Sequence, residues 1–240
     1  MPAAATAIDR DYLETLLRER KLDHTLTTAF ASAADARWTV PTGIAELDAR
    51  LDGGIPRGHL SEVVGPRSSG RLAILVSALA AATSRGEAVA LIDPLDMFDP
   101  VSASASGIDF QRMLWVRGEP STSARVSLSC EYGTLQKSLD RAVKALNIVL
   151  QAGGFGVVVL DLGEVAAQTI KRLPYTTWLR LHRVIEGSET ACVLIGSEPI
   201  ARSAGGVTVQ MAPGQNARVI RARKIESDQH VRVPLSAAAC

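Results

Sequence analysis

Aromatic residues are scarce: Phe, Trp and Tyr make up 4% of the 240 residues, so any core has to be packed with Ala, Val, Leu and Ile. Cysteine is nearly absent. Cys130, Cys192 and Cys240 are far apart, and their odd number and lack of CxxC or Cys/His spacing exclude a disulfide framework or a zinc site. Cys192 lies in an apolar run and reads as a buried thiol. Neither sign of charge is in excess. Twenty-six Lys and Arg face 25 Asp and Glu, a formal net charge of +1, so nucleic acid or membrane could be engaged only through a local patch. No apolar run approaches the ~20 residues of a membrane-spanning helix. Residues 1–6 are apolar but lack the positive region and long apolar core of a secretory signal. The expectation is a soluble, cytoplasmic protein without a membrane partner. His24, His59, His182 and His230 show no ligand spacing, and no metal is expected.

The composition is otherwise that of a globular chain, 47% hydrophobic and 21% charged. Residues 9–21 predict a helix with Tyr12, Leu13, Leu16 and Leu17 on one face. That face either packs on its own domain or docks on a partner, since a polar, Ala-rich segment (27–37) follows as a tether. The expected division is an N-terminal helix and linker over 1–38 and a core domain over 39–240. In the core, strands are predicted at 59–64, 88–93, 113–116, 155–161 and 191–196. Helices are predicted at 71–85, 132–152 and from Pro174 to near Gly187. Residues 102–106 and 119–129 are small and polar and predict loops. Segments 207–211, 218–225 and 231–234 predict antiparallel edge strands. Such alternation predicts an α/β fold, a mostly parallel sheet with helices on both faces and antiparallel strands at the C-terminus.

The strand–turn–helix at 59–85 carries Gly65-Pro66-Arg67-Ser68-Ser69-Gly70-Arg71-Leu72. Measured against GxxxxGK[ST], both glycines are present and both chemical residues are changed. The glycines let backbone N–H groups curl around an anion at a helix N-terminus. The lysine would reach the outer phosphates and the hydroxyl would hold magnesium. Arg71 keeps the charge on a longer, planar group, and Leu72 cannot bind a metal. Ser68 and Ser69 lack the histidine and acid that a nucleophile needs. Asp93, Asp96 and Asp99 cluster near prolines and read as turn and cap residues rather than a cation site.

Residues 40–70, with Thr42-Gly43, Leu47-Asp48 and Gly53-Gly54, resemble the segment that leads into the nucleotide loop of the RecA family. The resemblance continues through LIDPLDMFDP (91–100), VVVLD (157–161) and the helix and strand ending at Gly196, and covers roughly 41–211. It implies a RecA-like fold of the P-loop NTPase type, with Asp161 at the magnesium-side strand end. It also marks departures. The family's water-activating glutamate falls on Leu95, its γ-phosphate-sensing glutamine on Gly196 or Ser197, and its DNA loop is reduced to 198–206. Losing lysine and hydroxyl, general base and sensor together implies no ATPase activity. No cofactor is expected, although the backbone amides of 65–70 still offer donors to a phosphate.

Two basic clusters remain. Arg218, Arg221, Arg223, Lys224 and Arg232 alternate with apolar residues, placing several cations on one strand face. They either protect an edge or contact DNA phosphates or an acidic partner. Lys171, Arg172, Arg180 and Arg183 flank Pro174 and form the alternative patch. The degenerate loop and short chain resemble the ImuA group of bacterial mutagenesis cassettes. That likeness implies an accessory role in the DNA-damage (SOS) response and error-prone translesion synthesis. The partners it implies are RecA and a translesion polymerase or polymerase-like protein, with direct DNA contact left open. The alternatives are a SulA-type division inhibitor, a DNA-binding module that works without ATP, or an ATPase using Arg71.

Overall fold

Strand-forming runs and Ala-rich helical runs alternate along the chain, and in the computed structural model they assemble into one sheet flanked by helices. The structure describes residues 38–118, 128–201, 203, 205–214, 216–222 and 231–232, with backbone alone for 128–132, 134 and 231–232. Tyr12, Leu13, Leu16, Leu17, Arg223 and Lys224 lie outside the described residues, and Arg232 is described by its backbone only. All of this belongs to the unit Ala36–Cys240.

The chain opens with β1 (Thr39–Val40), α1 (Ala45–Arg50) and β2 (Ile55–Pro56), β1 and β2 pairing as a small antiparallel ribbon. It continues through β3 (Leu60–Val64), α2 (Arg71–Ser84), β4 (Ala88–Asp93), α3 (Pro100–Ser104) and β5 (Met113–Arg117). Then follow α4 (Leu128–Ala152), β6 (Phe155–Asp161), α5 (Ala167–Ile170), α6 (Tyr175–Ile185) and β7 (Ala191–Gly196). The chain ends in β8 (Thr208–Ala212), β9 (Asn216–Arg221) and β10 (Val231–Arg232). The large sheet runs β10-β9-β8-β3-β7-β6-β4-β5. Strands β5, β4, β6, β7, β3 and β8 are parallel, and β9 is antiparallel to both β8 and β10.

The central strands are apolar without interruption because both of their faces are covered. Val157 and Val159 of β6 pack on the side of α2, with Ile74, Leu75 and Leu79. Their neighbours Val158 and Leu160 pack on the other side, with Leu139 and Leu146 of α4 and Trp178 and Leu181 of α6. With so few aromatics, these two layers are built from branched aliphatic side chains, as the composition requires.

Two expectations are corrected. Residues 102–106 were expected as a loop, but 102–104 complete α3, which starts at Pro100 because Asp99 caps it, accepting from the N–H groups of Val101 and Ser102; 105–106 form the turn that follows. Segment 207–211 was expected as an antiparallel edge. Strand β8 is instead parallel to β3, with Glu62 opposite Thr208. The connection 197–207 is long enough to carry the chain back across the sheet before β8 begins, whereas the short link between Ala212 and Asn216 forces an antiparallel hairpin. Asp96, expected as a cap or turn residue, closes a turn with its N–H on the Asp93 carbonyl at 3.3 Å. Its carboxylate grips Arg117 through two bonds, 2.7 and 2.8 Å, and this guanidinium holds the Asp96 carboxyl below its usual range. Asp93 matches the expectation, accepting from the N–H groups of Met97 and Phe98 at 3.0 and 2.9 Å.

Candidate functional site

The loop between β3 and α2 leaves the C-terminal end of the sheet, where strand ends and helix N-termini meet and ligands of α/β folds collect. Gly65 has to be glycine: at φ +157°, a Cβ would stand 2.5 Å from the Met211 carbonyl oxygen of β8. Gly70 turns the chain into α2 at φ +94°. Pro66, Arg67 and Ser68 are exposed and Ser69 is buried. The Ser69 Oγ is buried without a hydrogen bond.

Arg71 opens α2 and does not point to solvent; its side chain is 8% exposed. One guanidinium nitrogen, Nη1, donates to the Gly196 carbonyl at 2.8 Å and to the Gly163 carbonyl at 3.2 Å. The other terminal nitrogen, Nη2, meets Glu164 Oε1 at 3.5 Å. The Nε of exposed Arg67 holds the second oxygen of the same carboxylate at 3.0 Å. Gly196 also accepts the N–H of Gly65 at 3.1 Å. The first turn of α2, the end of β7 and the connection after β6 are thus fastened through one arginine. Leu72 is 39% exposed and presents no oxygen to the site.

Asp161, at the end of β6, accepts the Gly163 N–H on Oδ1 at 2.9 Å. Burial pushes its carboxyl above the ordinary carboxylate range; the Gly163 bond and the Arg71 charge oppose that rise, and Asp93 adds to it. Leu95 packs partly buried against the α4 side of the sheet, and Ser197 is exposed. Among the described residues, no group of three or more His, Cys, Asp or Glu side chains is placed to hold a metal ion.

Two further residues of the site were not singled out in the sequence. Glu164 follows Asp161 with nothing in its spacing to mark it. Glu62, a charge inside the apolar strand LSEVV, was a visible signal, since a buried carboxylate needs partners. It accepts the N–H of Ala201 at 2.8 Å, that of Ile200, and the Thr208 hydroxyl at 3.4 Å. It thereby rivets the 197–207 connection to β3. Lys171 ties the same connection to α5 through Glu198 at 2.7 Å.

Of the basic strand residues, Arg218 and Arg221 are three apart and would point to opposite faces of a regular strand. A register shift between the pairs Thr208↔Arg221 and Val209↔Val219 restores them to one face. Both are partly buried, and Arg221 donates to the Ser203 carbonyl at 3.1 Å. Arg180 and Arg183 are exposed on α6. His182, on the same helix, is half-buried, and burial lowers its pKa.

A family model described as the RecA N-terminal domain matches residues 28–127. Protein RecA of Nostoc sp. is 37% identical over 86 residues, 36% of this chain and 24% of that protein. Protein RecA of Lactobacillus acidophilus is 32% identical over 124 residues, 51% of this chain and 29% of that protein. Protein RecA of Heliobacterium modesticaldum is 30% identical over 157 residues, 65% of this chain and 44% of that protein. With the sheet order and the loop at the end of β3, these matches decide the fold.

The fold is RecA-like.

The chain spans less than half the length of each of these relatives. In the described core, the loop 65–72, Asp161 and the end of β7 come together at one rim of the sheet. The basic segment at β9 lies beyond β8 from that rim's central strands, and the loop reaches Gly196 through both Arg71 and the Gly65 N–H, and Gly163 through Arg71. No helix among the described residues is long and apolar enough to cross a membrane.

Proposed function

We propose that this chain is a RecA-like accessory protein of the DNA-damage (SOS) response that does not hydrolyse ATP and acts by binding other proteins. Its partners in this reading are RecA and a translesion polymerase or polymerase-like protein, in error-prone synthesis past lesions. The observation that carries it is the state of Arg71. The residue standing where the resemblance places the phosphate-reaching lysine has its guanidinium buried and hydrogen-bonded to Gly196 and Gly163.

A magnesium–nucleotide does not fit the residues present. The metal would need an oxygen where Leu72 stands, the outer phosphates would need a cation already committed to carbonyl acceptors, and no carboxylate stands at Leu95 to activate water. Asp161 has its carboxyl biased toward the neutral form by burial, which weakens it further as a metal partner. A fold that keeps its core and commits its loop to internal bonds retains surfaces, and surfaces support binding. Tyr12, Leu13, Leu16 and Leu17 are the segment proposed to dock.

The test is capture by the tagged full chain from DNA-damaged cells of the source bacterium, read by mass spectrometry, beside an ATP turnover assay on the purified chain. Recovery of RecA together with a translesion polymerase supports the proposal, as does turnover no higher than a blank. Recovery of the tubulin-like division protein instead would make it a SulA-type inhibitor. Salt-sensitive retention on single-stranded DNA without protein capture would make it a DNA-binding module. Magnesium-dependent turnover lost on Arg71→Ala would overturn the proposal.

A further inference from the structure

The connection after β6 carries a carboxylate that neither the fold nor the proposed binding role requires at that place. Glu164 lies three residues past Asp161, and each of its two oxygens faces a different arginine of the loop, Oε2 toward Arg67 Nε at 3.0 Å and Oε1 toward Arg71 Nη2 at 3.5 Å. Both cationic side chains of the 65–72 segment thus share one acid from within the chain. We propose that Glu164 is an internal anion for this loop, a latch that takes the partner role a phosphate would otherwise fill on Arg67 and Arg71 and keeps the rim closed without nucleotide. The inference rests on the reading of the loop as nucleotide-independent and names the device that makes it so.

Three features support a latch over a chance surface pair. Arg71 cannot leave Glu164 freely, because its other nitrogen is bonded to Gly163 and Gly196, and the side chain is 8% exposed. The guanidinium is a planar fork, suited to bridging carbonyls and a carboxylate at once, which an ammonium cannot match. Space at the connection is also shaped to it: a Cβ added at Gly163 would lie 3.3 Å from Arg71 Nη2 and 3.0 Å from Asp161 Oδ1, so the backbone there runs close against both groups. The Glu164 side chain is 28% exposed, open enough for a dissolved anion to reach the same guanidiniums once the carboxylate is gone.

The experiment compares the full chain with Glu164→Gln and Glu164→Ala by thermal melting, with and without millimolar inorganic phosphate or magnesium–ATP. The native chain should melt at one temperature in all three conditions. The variants should melt about 2–4 °C lower, as expected for loss of one partner of a partly exposed charge network in a domain of this size. Phosphate should restore most of that fall in the alanine variant, because the vacated arginines then have a soluble anion. Should both Glu164 variants fail to fold, Arg67→Ala leaves the buried arginine in place, and its melting temperature should fall by a smaller amount that disappears at high salt. The latch is refuted if Glu164→Gln melts with the native chain, or if phosphate raises the native chain as much as the alanine variant. Turnover of ATP by the native chain would instead overturn the function proposed above, so the two failures are distinct.

Discussion

The Nη1 of Arg71 donates to the main-chain carbonyl of Gly196, 2.8 Å away and 125 residues on in sequence. This bond joins the start of the helix after the loop to the end of β7. Gly163 takes a second bond from the same nitrogen. Arg71→Ala would leave these carbonyls and Glu164 without their buried cation, and the expected cost is about 3–5 kcal/mol in denaturant unfolding. Arg71→Lys should recover part of that loss, because a point charge on a flexible stem cannot reproduce the fork. If the alanine variant unfolds with the native midpoint and slope, the bonds described here do not hold the rim together.

Restoring the loop's chemical residues should not restore an enzyme. The double variant Arg71→Lys, Leu72→Thr is expected to show no magnesium-dependent ATP turnover above a blank reaction, since Leu95 still provides no general base. A steady-state phosphate-release assay checks this. Turnover in the double variant would place the whole deficit in the loop.

Asp161 is expected to act as a neutral-biased structural acid. Burial raises its folded-state pKa above the unfolded value, so the native state binds this proton more tightly. The penalty for ionising it is absent below the unfolded pKa of 3.8, grows as pH rises from there through the folded pKa, and is complete above it. Asp161→Asn keeps an oxygen for the Gly163 N–H and should raise the melting temperature at pH 7, with the gain fading as pH falls toward 4. A variant less stable than the native chain at pH 7 would contradict the burial argument.

Glu62 fixes the path between β7 and β8 by accepting the amides of Ile200 and Ala201. Removing it as Glu62→Ala should cost about 2–4 kcal/mol, because two buried N–H groups lose their acceptor. Amide exchange at Ile200 and Ala201 should accelerate at least tenfold. Glu62→Gln keeps one acceptor oxygen and should lie between. Unchanged exchange at these two amides would remove Glu62 from this role.

If residues 9–21 dock a partner, Leu13→Ala combined with Leu16→Ala should reduce capture of that partner at least tenfold. Melting of the core should be unchanged. Loss of core stability in step with loss of capture would instead assign that helix to its own domain.

The central strands β4, β6 and β7 were legible in the sequence because they are nearly unbroken apolar runs covered on two faces, and the long helices because their apolar residues recur with helical period. Ala88–Asp93, Phe155–Asp161 and Ala191–Gly196 need no tertiary information to be recognised. Local spacing likewise marked the glycine loop and the arginine and leucine at its end, since residue type at fixed spacing is read from the sequence alone. The direction of β8 was not legible, because it depends on how far the 197–207 connection carries the chain, and sequence periodicity is the same for either direction. The common face of Arg218 and Arg221 depends on a bulge that no pattern announces. Glu164 and Gly196 meet Arg71 from positions 93 and 125 residues away. The sequence determined that Arg71 and Leu72 follow Gly70; only the tertiary structure decided where the arginine would go, because its partners are a distant carboxylate and backbone carbonyls, which every residue carries and no pattern can single out.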